Sequence, residues 1–529
     1  MLREVSGASF DRRRILQGLA AAGSSLLLPQ FLRAASSADA KLLTEYPFRL
    51  GAASGFPTAD SVVLWTRLAP SPLDEDGLGG MPPLEFTLRY ELAADEQFRK
   101  VLQHGDVTAS AMWAHSARVV VKGLQPARDY FYRFHIGAHM SPVGRARTLP
   151  TPNAEVNAFS MAVVSCAHFE HGRYAVYQHI ARAAPELIMH LGDYIYEGAP
   201  TKDHVRLHAG GNCTTLAQYR QRYAQYQQDP QLQAAHLASP WITTWDDHEV
   251  SNDYAGLHGG RDEDPATFPA RRAAAYQAYF EHLPLPPSAT PVNGSVALYT
   301  RRQIGRLANL HMIDQRQYRS AEACPKPGRA GGNLIGPDCP ELYAPDRTML
   351  GGEQEAWLAE GLRPGPQGWN LLAQGTIVAR MDQQPGKGEL YFSDSWSGYP
   401  AARAKLTGTL QRQRTPNPVI LSGDLHVFVA GHVTANEEQP DSPMVATEFV
   451  GTSITTDPQP LEKIATWGPE NPHLALVESR YRGYVAARLT PRRLDVDFMA
   501  IDDPKDPEAA QRVLKAFTVE SGTPKILDR

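Results

Sequence analysis

The chain has 529 residues, 42% of them hydrophobic and 21% charged, and a formal net charge of −5. That length exceeds what one ordinary core serves and predicts two domains. The mild acidity excludes the basic footprint that nucleic-acid binding uses, while leaving room for a local anion site.

Residues 1–40 read as an export signal. Arg12, Arg13 and Arg14 precede a short apolar run, and Ala38, Asp39 and Ala40 supply a small-residue cleavage site. Paired arginines followed by Ile15 and Leu16 point to the twin-arginine export machinery, with a Sec signal as the alternative. The segment holds five basic and three acidic side chains, so its removal takes the charge from −5 to −7. Its apolar run is shorter than the roughly 20 residues a spanning helix needs, and no later segment qualifies. A periplasmic or extracellular protein without a stable membrane span is expected.

Residues 41–150 predict a small all-β domain of fibronectin or Ig type. "DSVVLWTRL", "LEFTLRYEL", "HSARVVVKGL" and "DYFYRFHIG" are short, rich in β-branched and aromatic residues, and separated by turn residues. Residues 151–500, after the proline-bearing "LPTPNAEV", change character. "AFSMAVVSC", "GRYAVYQHIARAAP" and "ELIMHLGD" form a strand–helix–strand unit, with Tyr177, Ile180 and Ala184 on one helical stripe. Further strands are expected at "WITTW", "LANLHMID", "WNLLAQGT" and "NPVILSGD", giving a layered α/β domain. "TLAQYRQRYAQYQQ" and "RRAAAYQAYFEHL" read as amphipathic helices whose tyrosines pack inward. Residues 501–529 predict a helical tail. Of the four cysteines, Cys324 and Cys339 flank a Pro/Gly-rich loop and are the best disulfide candidates, while Cys166 ends an apolar run.

Four of these strands end on metal-binding residue types. Cys166 follows "VVS"; Asp193 and Tyr196 follow "HLG"; Asp246 to Asp253 follow "TTW"; Asp424 and His426 follow "LSG". Ligands in open α/β sheets gather at the carboxyl ends of strands. Thiolate, phenolate, carboxylate and imidazole together suit iron. Asp424 and Asn252 offer the oxygen donors that suit calcium or another hard divalent ion. Asp193, placed between the two groups, could bridge ions about 3.5–4 Å apart that clamp a phosphate.

The segments "SCAHFEHGRY", "LGDYIYEG", "WDDHEVSNDY", "MIDQRQYR" and "LSGDLH", with "FRLGAASGFPTADSVVLWTRL" before them, resemble the PhoD-type alkaline phosphatases of the metallophosphoesterase superfamily. Purple acid phosphatases share the Gly-Asp-x-x-Tyr pattern seen at Gly192–Tyr196, but place an aspartate where this chain has Cys166. The resemblance implies a metallophosphoesterase-type β-sandwich flanked by helices. It implies Fe3+ held by Cys166, Asp193, Tyr196 and His426, and Ca2+ held by Asp193, Asn252 and Asp424 with others. Asp247 occupies the place of a superfamily asparagine ligand. His248 stands where a proton donor to the leaving oxygen is placed, or else orients a ligand. Arg316, in "DQRQYRS", can offer a planar fork to phosphate oxygens; an ion pair with Asp314 is its structural alternative, and Arg319 is expected to stay away from the site. The chain departs from the family's Gln-Asp-Tyr at Ala167, His168 and Phe169, and His168 and His171 are expected in a solvated loop. Asn252-Asp253 replaces paired asparagines, and Ser397 replaces an acid.

No Gly-x-Ser-x-Gly elbow, zinc-protease motif or P-loop occurs. The expected function is therefore an exported phosphoesterase acting on small or polymeric phosphate monoesters, diesters or both. A phosphodiesterase of envelope polymers or phospholipids is the alternative within enzymes. An exported binding or adhesion module with a structural metal site is the alternative outside them.

Overall fold

Two sheets stacked face to face carry the core. The computed structural model describes residues 43–529 apart from 203, 261–262, 327–330, 437–438 and 440, so the expected export signal lies outside the described residues. The larger sheet has ten strands, in spatial order Ile526–Asp528, Gln511–Glu520, Arg493–Ile501, Arg482–Leu489, Phe159–Val164, Leu187–His190, Trp241–Thr243, Ala52–Gly55, Ser61–Arg67 and Ser116–Lys122. The second has seven: Thr300–Ile304, Ala308–Met312, Trp369–Ala373, Pro418–Ser422, Met444–Val450, Phe428–Thr434 and Leu474–Glu478.

Strands Phe159–Val164, Leu187–His190 and Trp241–Thr243 run parallel. So do Ala308–Met312, Trp369–Ala373, Pro418–Ser422 and Met444–Val450 in the other sheet. Parallel strands are covered on both faces, which explains why "LIMH" and "PVILS" are apolar runs without alternation and are buried throughout. Aromatic rings bridge the layers. Phe498 of the ten-stranded sheet stacks on Phe428 of the other at 4.6 Å between ring centroids, and meets Phe449 edge-on.

The N-terminal strands form as expected, but not as a free-standing sandwich. Val101–Ala109, Phe86–Ala93, Asp129–Ile136 and His139–Met140 pair in that order, with Gly144–Arg147 beside Asp129–Ile136. The alternation of "DYFYRFHI" buries Tyr130, Tyr132, Phe134 and Ile136 on one face. That face packs against Val62, Leu64 and Val121, which belong to the end of the ten-stranded sheet. Gly55 pairs with Trp241, so the first hairpin continues the ten-stranded sheet. The N-terminal sandwich therefore shares one layer with the rest of the fold.

The two tyrosine-rich segments are helices, Leu216–Gln227 and Phe268–His282, and Tyr219, Tyr223, Tyr226, Tyr276 and Tyr279 are all buried. A capping box between Thr215 and Gln218 starts the first of them. The helical tail expected over 501–529 is corrected. Gln511–Glu520 is a strand, antiparallel to Arg493–Ile501 with Phe517 opposite Val496 and Val519 opposite Leu494. Cys324 and Cys339 form a disulfide, and Cys166 and Cys213 are free and buried. Among the described residues, no helix is long and apolar enough to cross a membrane.

Candidate metal centre

The parallel strands of both sheets deliver their next residues to one place. Phe159–Val164 leads to Cys166, Leu187–His190 to Asp193, Trp241–Thr243 to Asp246–His248, and Pro418–Ser422 to Asp424 and His426. The turns that do this are unusual. Cys166 (φ 60°), Asp193 (φ 56°), Asp253 (φ 56°), Asp424 (φ 63°) and His426 (φ 58°) all take left-handed backbone conformations. Such conformations cost about 1–3 kcal/mol in a non-glycine residue and gather at functional sites.

Three groups of donors result, each with its ligand atoms within 4.8 Å of one another: Cys166, Asp193 and His426; Asp193, Asp247 and His248; Asp246, Asp247 and Asp424. Asp193 belongs to the first two and Asp247 to the last two, so the groups form a chain. Tyr196 joins the first: its hydroxyl donates to Asp193 Oδ2 at 2.8 Å and lies 3.3 Å from His426 Nε2. Cys166, Asp193, Tyr196, Asp247, His248, Asp424 and His426 thus share one hollow. Asn252 is on its wall, donating its backbone N–H to Glu197 Oε1 at 2.9 Å. Above lies an open cavity of about 850 Å³ lined by Tyr196, Glu197, His248, Asn252 and Arg271 among others.

The electrostatics call for cations. Asp246 Oδ2 and Asp247 Oδ1 are buried with no hydrogen-bond partner. Burial pushes Asp193 well above the usual carboxylate range; Asp247, Asp246 and Glu249 add to the rise, against His248. Asp424 is raised by burial and then by Asp246 and Asp247. Burial likewise raises the Cys166 thiol and the Tyr196 phenol. His426 is pushed down to about 3 by burial, which keeps its ring neutral and able to ligate. Positive ions among these groups would reverse the first four shifts and use the orphaned oxygens. The residues therefore fit the expected ions: soft and phenolic donors on one side of Asp193, carboxylates on the other.

His248 behaves differently. Burial opposes its charge, yet Asp247, Glu197 and Asp193 together raise it well above the ordinary imidazole range. Its Nδ1 pairs with Glu197 Oε2 at 2.7 Å, and its ring lies 4.1 Å from that of Tyr196.

Arg316 is a correction. Its guanidinium is fully buried and spent on carboxylates: Nη1 and Nη2 donate to both oxygens of Asp394 at 2.6 and 2.7 Å, and Nε donates to Asp246 Oδ1. Only its backbone N–H reaches Asp314, at 3.1 Å. No fork is left for a phosphate; Arg316 positions Asp246. Arg319 also binds Asp394. His168 and His171 do not sit in a solvated loop either. They are half-buried and stacked on each other, 3.7 Å between centroids, with His168 also against Tyr196.

A profile of the PhoD-like phosphatase family matches residues 161–498. The chain is a PhoD-like phosphatase. A profile of the N-terminal domain of PhoD-like phosphatases matches residues 33–150. Alkaline phosphatase D of Bacillus subtilis (strain 168) is 40% identical over 523 residues, which cover 97% of this chain and 88% of that protein. A solved structure of PhoD superposes with a TM-score of 0.87 at 39% identity, covering 92% of each chain. A purple acid phosphatase, PPD1 from yellow lupin (Lupinus luteus) seeds, superposes with a TM-score of 0.53 at 11% identity, covering 90% of this chain and 74% of its own. That likeness is one of fold. This PhoD-like phosphatase is a phosphoesterase, with the α/β architecture expected of the superfamily.

Several residues of this PhoD-like phosphatase escaped the motif reading. Glu249 accepts the backbone N–H groups of Asp193, Tyr194 and Asp246, clamping the Asp193 and Asp246 loops together. Thr456 donates to the Cys166 carbonyl and lies 2.8 Å from the Tyr196 hydroxyl. Asp394, in "SDSW", stands three residues before Ser397, the position at which this chain lacks the family's acid. The glycine of the Gly-Asp pair is also explained. Gly192 has φ 114°, and a Cβ there would fall 2.4 Å from Asp246 Cβ. Gly192→Ala is expected to push the Asp193 and Asp246 loops apart, destabilising the phosphatase by about 1–3 kcal/mol or more. Thermal melts and ion content measured together check this: both should fall.

Proposed function

We propose that this phosphoesterase is a metal-dependent alkaline phosphatase and phosphodiesterase, exported to the periplasm or beyond. The carrying observation is the continuity of the three donor groups through Asp193 and Asp247. In this reading Cys166, Asp193, Tyr196 and His426 hold Fe3+, while Asp193, Asp247, Asn252 and Asp424 hold Ca2+ or a similar hard ion, with Asp246 beside them. When bound, the ions neutralise phosphate oxygens and activate the attacking water. The protein's own residues supply the rest. The open cavity admits the ester. His248, paired with Glu197, holds a proton beside the cavity and passes it to the departing alcohol oxygen as the P–O ester bond breaks. Placing that proton where charge develops contributes typically 10²–10⁴-fold.

Phosphate release from paired aryl monoester and diester substrates, before and after exhaustive chelation, tests this. Activity should vanish on chelation and return with Fe3+ and Ca2+ together. Full turnover at less than one ion per chain would overturn the reading. In Cys166→Ala, the visible thiolate or tyrosinate charge-transfer absorption of the iron-loaded protein is expected to change or disappear. An unaltered spectrum and ion content would remove Cys166 from the ligand set.

A further inference from the structure

Beside the catalytic hollow lies a second convergence of metal-binding side chains that shares no ligand with it. His171 comes from the loop after strand Phe159–Val164, His204 from the segment before helix Leu216–Gln227, and Asp457 from the segment after strand Met444–Val450. One donor atom from each lies within 4.8 Å of the others. We propose that these three residues form a peripheral site for one divalent transition ion of the zinc class.

The chemistry favours that ion over a hard one. Two imidazoles and one carboxylate suit zinc, copper or nickel, whereas calcium and magnesium prefer oxygen donors throughout. Such an ion takes bonds of about 2 Å and accepts water in its remaining positions. Water has access, because the Asp457 side chain is 65% exposed while that of His171 is only 15% exposed.

The rings are held ready. His171 stacks flat on His168, with 6° between planes, and the His204 ring stands 4.7 Å from that of His171. His168 also lies 5.2 Å from His208, so the site has a wall of imidazoles behind it. His171 Nδ1 lies 3.7 Å from Asp457 Oδ2 and accepts the Asp457 N–H at 3.0 Å. That nitrogen's lone pair is held by the Asp457 backbone N–H, with the Asp457 carboxylate next to it. Capture of an ion at that nitrogen exchanges one neutral hydrogen bond for a coordinate bond. Burial and the neighbouring His204 lower the His171 pKa, with Asp457 pulling the other way, which favours the neutral ring a metal needs. His168 stands between this group and Tyr196, so an ion here would not touch the catalytic donors.

The test uses the full-length protein carrying the ions with which it purifies. Wild type, His204→Ala and Asp457→Asn are dialysed against zinc chloride alone, and bound zinc is counted by mass spectrometry. Wild type should hold one zinc per chain more than His204→Ala, and Asp457→Asn should bind that zinc at least tenfold more weakly. Copper(II) added in its place should show nitrogen hyperfine coupling from two imidazoles in its paramagnetic resonance spectrum. Phosphate release by zinc-free His204→Ala should match wild type, which separates this site from the catalytic one. Equal zinc counts in all three proteins, or a copper signal without nitrogen coupling, would overturn the proposal whatever becomes of the catalytic ion assignment.

Discussion

Asp193→Asn is expected to reduce turnover by about 10³-fold or more while leaving the fold intact. Removing a single stabilising donor from a preorganised site costs about 10²–10³-fold, and Asp193 belongs to two donor groups at once. Its loss separates Cys166, Tyr196 and His426 from Asp247. The fold should survive because the left-handed backbone at this position is one asparagine also adopts, and Glu249 still holds the backbone N–H. The ion-free variant should even gain stability at alkaline pH. Asp193, Asp246 (about 6), Glu249 (about 7) and Asp253 (about 7) all have raised values, chiefly through burial. A carboxyl raised on folding binds its proton more tightly in the folded state. Its contribution is complete below the unfolded value of about 4 and is lost as pH rises through the folded value. Chelated wild type should therefore melt lower at pH 8 than at pH 5, and Asp193→Asn should show a shallower fall. Melts of both chelated proteins at the two pH values, with phosphate release from the reloaded ones, check this. A variant with wild-type turnover would end the bridging role.

The sequence made the parallel strands and the donor residues at their ends legible because both signals are local. An apolar run closed by Gly-Asp or Ser-Cys states where a strand stops and what it offers. What stayed hidden depends on distant partners. The tail "AAQRVLKAFTVE" has helical composition, yet Phe517 finds Phe498 across the sheet, and pairing with Arg493–Ile501 overrides propensity. The union of the N-terminal sandwich with the catalytic sheet rests on Gly55 meeting Trp241, 186 positions apart in the numbering. Left-handed turns at five acidic, thiol or imidazole residues are a backbone property that no residue pattern announced. Helix Ala175–Ala183 and strand Leu187–His190 lie between His171 and His204, and only the fold brings the two rings together.

Arg316 shows the same limit and gives the second large effect. A guanidinium in a motif near a phosphate site reads as a substrate clamp until Asp394, 78 positions away, is seen to occupy it. Arg316→Gln leaves Asp394 with Arg319 as its remaining guanidinium partner and takes the Arg316 charge from beside Asp246. Breaking one side of a buried ion pair costs about 3–5 kcal/mol, and that loss is expected here. Arg316→Lys should not restore stability, because one ammonium cannot reproduce a fork that reaches Asp394 twice and Asp246 once. Replacing both partners, Arg316→Met with Asp394→Leu, should recover little of the loss, since Arg319 then loses Asp394 and Asp246 still lacks its guanidinium. A substrate clamp predicts the opposite pattern: near-normal melting of Arg316→Lys and a KM raised many-fold. Denaturant unfolding of the single and double variants, with KM measured on the folded, ion-loaded fraction, separates the two. Burial decides for the first, because a side chain with no exposed surface has nothing left to offer a ligand arriving from the cavity.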